Sequence, residues 1–212
     1  GLIAAADLLV GPPGGAATET EIDHDVDPIR MKKIGAVGLK FLILWRSDES
    51  AEKRSELVSD FNNLCDAANL PSIIEIIVKP PNDSSREFNR EEELVSAAKE
   101  ASKWKLDLYK AEVPFHGEGD LNKVRKNAER ITDAIGKPWV VLSNGVKAEF
   151  FADAVKACSQ GGASGFLAGR AVWADLVGSS NIPVALRNVA IPRLKKLSDV
   201  VDTYARPWDI EK

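Results

Sequence analysis

The chain has 212 residues, of which 44% are hydrophobic and 28% charged, so it is long enough to bury one large core. Its net charge of −4 argues against nucleic acid or an anionic membrane surface as the main partner, because both require a basic footprint. No apolar run approaches the roughly 20 residues that a membrane-spanning helix needs. We therefore expect a single globular domain over residues 1–212 that binds neither nucleic acid nor membrane.

Metal and disulfide chemistry find little support in the sequence. The only two cysteines, Cys65 and Cys158, lie far apart and away from histidines at ligand spacing, which predicts a reduced, cytoplasmic protein without zinc. His24 lies among three aspartates, but this segment lacks the glycine and the distal glutamate of a calcium loop. We expect a solvated acidic turn there and no metal site.

Six short apolar runs recur along the chain, and each is followed by a polar or amphipathic segment. The runs are Leu2 to Val10, Val37 to Trp45, Ser72 to Val78, Leu106 to Val113, Trp139 to Leu142 and Gly165 to Ala168. Such runs are typical of strands that are buried on both faces of a parallel sheet. Between the first two runs, residues 11–25 predict a loop, and Asp27 with Pro28 predicts the start of a short helix.

Helical spacing of apolar residues fills the intervals between the later runs. It predicts helices over Ser50 to Leu70, Glu91 to Trp104, Leu121 to Ile135, Phe150 to Cys158 and Val184 to Tyr204. In the first of these, we expect Leu57, Phe61, Leu64 and Ala68 to form the apolar stripe. A strand followed by a helix, repeated along the chain, predicts parallel βα units with right-handed crossovers.

Six βα units are compatible with an open doubly wound sheet or with part of an eight-stranded barrel. The turn Gly11-Pro12-Pro13-Gly14 is too rich in proline to open a helix that cradles pyrophosphate, which argues against a dinucleotide-binding sheet. The sequence therefore predicts an α/β fold, namely a TIM-type (βα)8 barrel that lacks its first two βα units and keeps six parallel strands with surrounding helices.

Three ionisable residues stand inside apolar runs, where charged side chains are rare without a partner or a task. They are Lys40, Glu75 and Lys110, each in a different predicted strand. Catalytic groups of a parallel barrel come from several strands and converge at its C-terminal mouth. Partial burial and a nearby ammonium group favour the neutral, nucleophilic form of a lysine amine. We interpret Lys110 as a nucleophile towards a ketone, Lys40 as its cationic neighbour and Glu75 as a proton shuttle.

Small residues follow the last two predicted strands and suggest an anion site. Ser143, Gly145 and Gly169 stand at strand ends, where a backbone N–H can approach a ligand closely, and Arg170 adds a charge suited to phosphate or sulfonate. In barrels of this kind, these loops commonly bind phosphate. His116 also follows a strand end and is expected near the mouth.

At this point, the motifs resemble those of class I aldolases that act on tagatose 1,6-bisphosphate and on 6-deoxy-6-sulfofructose 1-phosphate. The similar segments are Leu39 to Glu49, Ser72 to Glu75, Asp107 to Pro114, Leu142 to Val146 and Gly162 to Trp173. The resemblance covers nearly the whole chain, and the stretch Leu44 to Glu49 looks closer to the sulfosugar branch. The family's barrel begins two βα units earlier, so the resemblance implies an N-terminally truncated member without the aspartate of the family's first strand.

The resemblance implies a function and assigns residues to it. The enzyme would cleave a ketose phosphate or sulfoketose phosphate to dihydroxyacetone phosphate and an aldehyde, without metal or cofactor. Lys110 falls on the family's Schiff-base lysine, and Lys40 and Glu75 fall on its supporting lysine and acid. Ser143, Gly169 and Arg170 fall on its anion site. A sugar phosphate is the expected partner, and an incomplete barrel with unpaired strand edges predicts a homo-oligomer.

The residues also admit other interpretations. Lys110 is compatible with a strand-end lysine that reaches solvent, and Lys40 with Glu75 is compatible with a structural ion pair. Ser143 and Gly145 are compatible with a simple turn, and Arg170 with a partner carboxylate such as Glu112. At the level of function, the alternatives are a phosphate-binding isomerase or epimerase without covalent chemistry, and a catalytically inactive barrel fragment.

Overall fold

The computed structural model describes residues 1–208, in which strands and helices alternate. The strands are β1 (Leu2–Ala5), β2 (Asp7–Val10), β3 (Glu19–Ile22), β4 (Ala36–Trp45), β5 (Ser72–Val78), β6 (Leu108–Glu112), β7 (Trp139–Leu142) and β8 (Gly165–Leu167). The α-helices are α1 (Pro28–Lys33), α2 (Ala51–Ala68), α3 (Arg90–Ala101), α4 (Leu121–Ile135), α5 (Ala148–Gln160), α6 (Arg170–Trp173), α7 (Ile182–Ala185) and α8 (Ile191–Tyr204). Short 3₁₀ helices cover Pro114–Gly117 and Ala174–Leu176. None of the helices in this part of the chain is both long and apolar enough to cross a bilayer.

One parallel sheet contains six of the strands, in the order β1-β4-β5-β6-β7-β8. After β1, this order follows the chain, with a helix between successive strands, as in a partial barrel. The predicted α/β fold with six parallel strands is therefore confirmed. The predicted bounds of β5 and β7 are also confirmed, since both strands are buried at every residue and their apolar runs end where the strands end.

The first apolar run is not one strand, and the prediction of a loop over residues 11–25 is wrong in part. The run breaks at Ala6. The Ala6 N–H donates to the backbone carbonyl of Lys40 at 2.9 Å, and the Ala6 carbonyl accepts from the backbone N–H of Asp23 at 3.0 Å. Beyond this break, β2 pairs antiparallel with β3 in a two-stranded ribbon. Leu8 and Leu9 are about half exposed in that ribbon, so the apolar sequence of the run did not indicate burial.

The first compact unit comprises residues 1–110 and 134–137 and holds β1 to β5 with α1 to α3. Its core lies where α2 packs on β4, with the rings of Phe41 and Phe61 stacked 5.4 Å apart. Ser50 caps the N-terminus of α2, and Asn69 ends the helix in the left-handed conformation with φ 48°. The predicted stripe of α2 is correct for Phe61 and Ala68. However, Val58 and Cys65 are buried in place of Leu57 and Leu64.

The second compact unit comprises residues 111–133 and 138–208 and contains β7, β8, α5 and α8. Trp139 is fully buried, and its Nε1 donates to the Thr132 hydroxyl at 2.9 Å. The predicted helix from Val184 to Tyr204 is interrupted, because a π-helical turn at Leu186–Ala190 separates α7 from α8. Pro192 explains the break, since it has no N–H to continue the α-helical hydrogen bonds.

Candidate active site

The three ionisable residues singled out in the apolar runs meet in the first compact unit. Lys110 Nζ donates to Glu75 Oε2 at 2.9 Å, and Lys40 Nζ lies 3.4 Å from the same oxygen. The three side chains are between 9% and 16% exposed, so solvent screens their charges only partly. The structure thus brings together the predicted nucleophile, acid and second lysine.

Strand register explains how these side chains come to share one face. In the pairing of β4 with β5, Lys40 lies opposite Ile73 and Leu42 lies opposite Glu75. Alternate residues of a strand point to the same side, so Lys40 and Leu42 face the same way, and Glu75 faces that way with Leu42. Lys40 and Glu75 therefore lie on one face of the sheet, offset by two residues along the strands. Lys110 is the central residue of β6, the strand next to β5.

Asp7 is a fourth member of this cluster and was missed by the sequence analysis. Its Oδ1 lies 2.7 Å from Lys40 Nζ and also accepts the backbone N–H of Leu42 at 3.2 Å. Its side chain is only 7% exposed. The signal was available, because Asp7 is an acidic residue within an apolar run, the same anomaly that pointed to Glu75. Asp7, Lys40, Glu75 and Lys110 are called the lysine cluster below.

The charges of the lysine cluster alternate. Two carboxylates and two ammonium groups follow one another in the order Asp7, Lys40, Glu75 and Lys110, and their formal charges sum to zero. Glu75 can take a proton from Lys110 through the existing hydrogen bond and so release a nucleophilic amine. The arrangement therefore suits covalent chemistry on a carbonyl group.

The second compact unit contains a pocket of about 320 Å³ that includes most of the predicted anion residues. Its lining residues are Ser143, Asn144, Gly145, Val146, Ala148, Arg170, Ala171, Ala174 and Asp175. Arg170 is exposed at the first position of α6. Gly169 immediately precedes α6 but does not line the pocket, and its negative φ of −128° shows no special need for glycine.

A tight turn after β7 forms one wall of this pocket. Val146 donates its N–H to the Ser143 carbonyl at 3.2 Å, and Gly145 adopts a φ of +73° that favours glycine. The Asn144 side chain donates to the carboxylate of Glu112, a residue only 2% exposed, at 3.2 Å. This contact gives Glu112 a partner other than the Arg170 considered from the sequence.

His116 packs directly against the turn. A Cβ placed on Gly145 would lie 2.7 Å from His116 Nδ1, so only glycine leaves room for the imidazole ring. Phe115 and His116 both have positive φ, 53° and 50°, which is strained for residues with a side chain. His116 Nδ1 is buried without a hydrogen-bond partner among residues 1–208. The sequence placed His116 near a strand end but gave no sign of this packing.

Asp175 is an acidic residue in a pocket proposed for anions, and Arg193 neutralises it. The Arg193 guanidinium forms a bidentate pair with the Asp175 carboxylate at 2.6 and 2.9 Å. The side-chain hydrogen bonds from Arg193 hold the pKa of Asp175 below its usual value of 3.8. Arg193 thus pairs with Asp175, and Arg170 supplies positive charge to the pocket.

The acidic segment around His24 is an exposed turn, as predicted. Asp23 accepts the backbone N–H of Asp25 at 3.0 Å, and Asp27 caps the N-terminus of α1. Over the described part of the chain, no three His, Cys, Asp or Glu side chains are grouped so as to hold a metal ion. Both cysteines are free and buried, and burial raises the pKa of the Cys65 thiol to about 12.

Comparisons with known proteins identify the family of this chain. A protein-family profile described as DeoC/LacD family aldolase matches residues 13–175. The tagatose 1,6-diphosphate aldolase of Staphylococcus epidermidis is 28% identical over 208 residues, covering 84% of this chain. The match spans only 64% of that relative's length.

Solved structures support the fold. A fructose-bisphosphate aldolase from Plasmodium falciparum superposes with a TM-score of 0.70 at 16% identity, covering 96% of this chain and 69% of its own. A Schiff-base-forming fructose-1,6-bisphosphate aldolase gives a TM-score of 0.61 at 19% identity, over 87% and 65% of the two chains. The profile match extends over well more than half of the chain. The chain therefore belongs to the DeoC/LacD family of aldolases.

Proposed function

We propose that the protein is a class I aldolase, an aldehyde-lyase that cleaves a ketose phosphate or sulfoketose phosphate through a Schiff base on Lys110. The products are dihydroxyacetone phosphate and an aldehyde. The observation that carries the proposal is the 2.9 Å hydrogen bond from Lys110 Nζ to Glu75 Oε2 in a largely buried site. The names of the relatives support it, since the Staphylococcus epidermidis protein is a tagatose 1,6-diphosphate aldolase.

The first step joins Lys110 to the substrate. Glu75 takes a proton from the Lys110 ammonium, and the freed nitrogen lone pair attacks the ketone carbon. The carbonyl oxygen gains a proton and becomes the hydroxyl of a carbinolamine. That hydroxyl then leaves with a second proton as water, and a carbon–nitrogen double bond with a positive charge, the iminium, remains.

The second step breaks the carbon–carbon bond. A carboxylate takes the proton from the hydroxyl on the carbon beyond the bond to be cleaved, and the aldehyde forms there. The electron pair of the broken bond moves to the iminium, which becomes a neutral enamine. We assign the proton transfer to Glu75, because its side chain lies between the two lysines and is 9% exposed.

The third step releases the second product. The enamine carbon takes the proton that Glu75 holds, which restores the iminium, and water then adds to the iminium and gives up a proton to Glu75. Loss of the amine from this carbinolamine yields dihydroxyacetone phosphate and free Lys110. The Lys40 side chain, 3.4 Å from Glu75 Oε2, forms an ion pair with the carboxylate that each proton transfer regenerates.

Phosphate recognition is assigned to the pocket of the second unit. The turn through Ser143 and Gly145 offers backbone N–H groups and a hydroxyl, and Arg170 offers a guanidinium. Gly169, whose backbone directly precedes Arg170 at the start of α6, is assigned to the same anion site. The same donors suit a sulfonate, so this pocket does not distinguish the two branches of substrate.

Borohydride reduction in the presence of dihydroxyacetone phosphate tests the proposal. Hydride addition to the iminium gives a stable secondary amine, and peptide mass spectrometry should locate it on Lys110. Lys110→Met should lose the adduct. The matched control Lys103→Met should keep it, because Lys103 is exposed and belongs to the same unit. An isomerase or epimerase that uses Glu75 as a base would give turnover without an adduct. An inactive fragment would give neither.

A further inference from the structure

We infer that Asp7 is the positioning residue that makes Lys110, rather than Lys40, the amine that forms the Schiff base. The inference rests on the proposed function and concerns a residue outside the segment 13–175 that the family profile covers. Asp7 acts through Lys40, since its carboxylate contacts that ammonium group at 2.7 Å.

The site contains two candidate nucleophiles, and neither accessibility nor Glu75 separates them clearly. The side chains of Lys40 and Lys110 are 16% and 14% exposed. Both amines lie near the same oxygen, Glu75 Oε2, at 3.4 and 2.9 Å. If Glu75 were the only carboxylate, the longer contact would leave Lys40 as the less stabilised ammonium group. Lys40 would then be the less tightly held of the two amines and the freer one to react.

Asp7 reverses this order. With Asp7 present, Lys40 Nζ contacts two carboxylates, Asp7 at 2.7 Å and Glu75 at 3.4 Å. The ion pair of Lys110 is with Glu75, at 2.9 Å. The Asp7 contact at 2.7 Å adds a second and shorter ion pair to Lys40, and the low exposure of the Asp7 side chain limits solvent screening of that pair. Lys40 Nζ is thus held between two carboxylates, and Lys110 is the amine left to form the Schiff base.

The backbone keeps Asp7 in place for this role. Leu42 donates its N–H to Asp7 Oδ1 at 3.2 Å, so the oxygen that contacts Lys40 is anchored to β4 itself. Ala6 is tied to the same strand through its hydrogen bond to the Lys40 carbonyl. The carboxylate therefore cannot swing away without breaking two contacts to β4, the strand that carries Lys40.

The test compares the position of the borohydride adduct in wild type and in Asp7→Asn. Attack by either lysine on dihydroxyacetone phosphate releases one water and gives an iminium, and one hydride reduces it to a secondary amine. The two products have equal mass, and peptide mapping separates them. We expect the wild-type adduct on Lys110 and a rise of about tenfold or more in the share on Lys40 in Asp7→Asn.

Two controls separate a charge effect from a general disturbance. Asp25→Asn makes the same chemical change at an exposed residue of the same unit and should leave the adduct on Lys110. The double variant Asp7→Asn with Lys110→Met should still be labelled, on Lys40, whereas Lys110→Met alone should be labelled hardly at all. Circular dichroism would show whether each variant is folded.

A second measurement needs no variant and covers the case in which Asp7→Asn does not fold. Competitive acetylation of the wild-type protein with trace acetic anhydride reports the nucleophilicity of each amine. We expect Lys110 to react about tenfold or more faster than Lys40 near neutral pH, although their exposures are nearly equal.

Equal rates of acetylation, or an Asp7→Asn adduct confined to Lys110 at the wild-type rate and pH profile, would overturn the inference. Failure of the proposed function gives a different result. In that case, the wild-type protein itself shows no adduct on either lysine, and the role assigned to Asp7 is rejected together with the proposed function.

Discussion

Glu75 Oε2 accepts a hydrogen bond from Lys110 Nζ at 2.9 Å across neighbouring strands of the sheet. The acid lies on β5, a strand that is buried at every residue, and the lysine lies at the centre of β6. A carboxylate placed on such a strand costs free energy unless it is paired. The contact therefore stabilises a buried charge and also joins the two residues that we propose as nucleophile and base.

Lys110→Met should abolish carbon–carbon cleavage, because the covalent step is lost while the anion pocket is unchanged. Phosphate binding by calorimetry should stay close to the wild-type value. Lys103→Met, at an exposed position of the same unit, should keep wild-type cleavage. Cleavage by Lys110→Met at the wild-type rate would remove Lys110 from the mechanism.

Glu75→Gln should lower the rate of cleavage by about 10²-fold to 10⁴-fold, the usual contribution of a positioned general acid or base. The amide keeps the shape of the side chain but cannot take protons from Lys110 or from the substrate hydroxyl. Single-turnover kinetics would separate the rate of Schiff-base formation from that of cleavage. A variant with both rates unchanged would show that Glu75 serves only as an ion-pair partner.

Much of this site was predictable from residues that break a local pattern. Lys40, Glu75 and Lys110 are ionisable groups in apolar runs, and the alternation of side chains along parallel strands accounts for their meeting. Asp7 carried the same signal. It stands in the run from Leu2 to Val10 and was not singled out with the other three residues.

The remaining features depend on tertiary contacts that the local sequence does not specify. The break at Ala6 arises from hydrogen bonds to Lys40 and Asp23, two residues that are distant in sequence. The packing of His116 against Gly145 likewise joins two loops that are separated by α4 and β7. Neither relationship has a periodic pattern that could have indicated it.

Gly145→Ala should destabilise the protein for two reasons, backbone strain and a steric clash. A residue with a side chain at a φ of +73° costs about 1–2 kcal/mol. The new Cβ would also lie 2.7 Å from His116 Nδ1. Gly119→Ala is the matched control, since Gly119 has a φ of +77° and a Cβ added there would meet no atom within 4 Å. Denaturant unfolding should show the larger loss for Gly145→Ala.

The clash can be separated from the strain by a double-mutant cycle. Removing the ring with His116→Ala should recover the part of the Gly145→Ala loss that exceeds the Gly119→Ala loss. Equal losses for the two glycine variants would show that the imidazole moves aside without cost.

Arg170→Ala should weaken phosphate binding by about 1–2 kcal/mol, or roughly tenfold, the usual cost of losing a charge-assisted hydrogen bond. The exposure of Arg170 places the effect towards the lower end of that range, because solvent screens the charge. Arg187→Ala removes an exposed arginine of the same unit and should leave the affinity unchanged. Calorimetric titration with inorganic phosphate measures both, and equal affinities for the two variants would place the anion site elsewhere.

The Asp175–Arg193 pair should stabilise the folded protein at neutral pH and lose this effect in acid. Hydrogen bonds from Arg193 lower the pKa of Asp175 in the folded state below its ordinary value of 3.8. The unfolded chain then binds the proton more readily than the folded chain as the pH falls. The stabilisation is therefore fully present above pH 3.8 and is lost as the pH falls through the lowered folded-state pKa.

Thermal unfolding of wild type and Asp175→Asn would measure this loss. The wild type should have the higher melting temperature at about pH 7, and its advantage over Asp175→Asn should disappear as the pH falls through the lowered folded-state pKa of Asp175. Added salt should reduce the difference at neutral pH, because the pair is partly exposed. Asp199→Asn, at an exposed position on α8 about one and two-thirds turns beyond Arg193, controls for the loss of a negative charge. An Asp175→Asn melting temperature equal to that of wild type at neutral pH would show that the bidentate pair contributes nothing to folding.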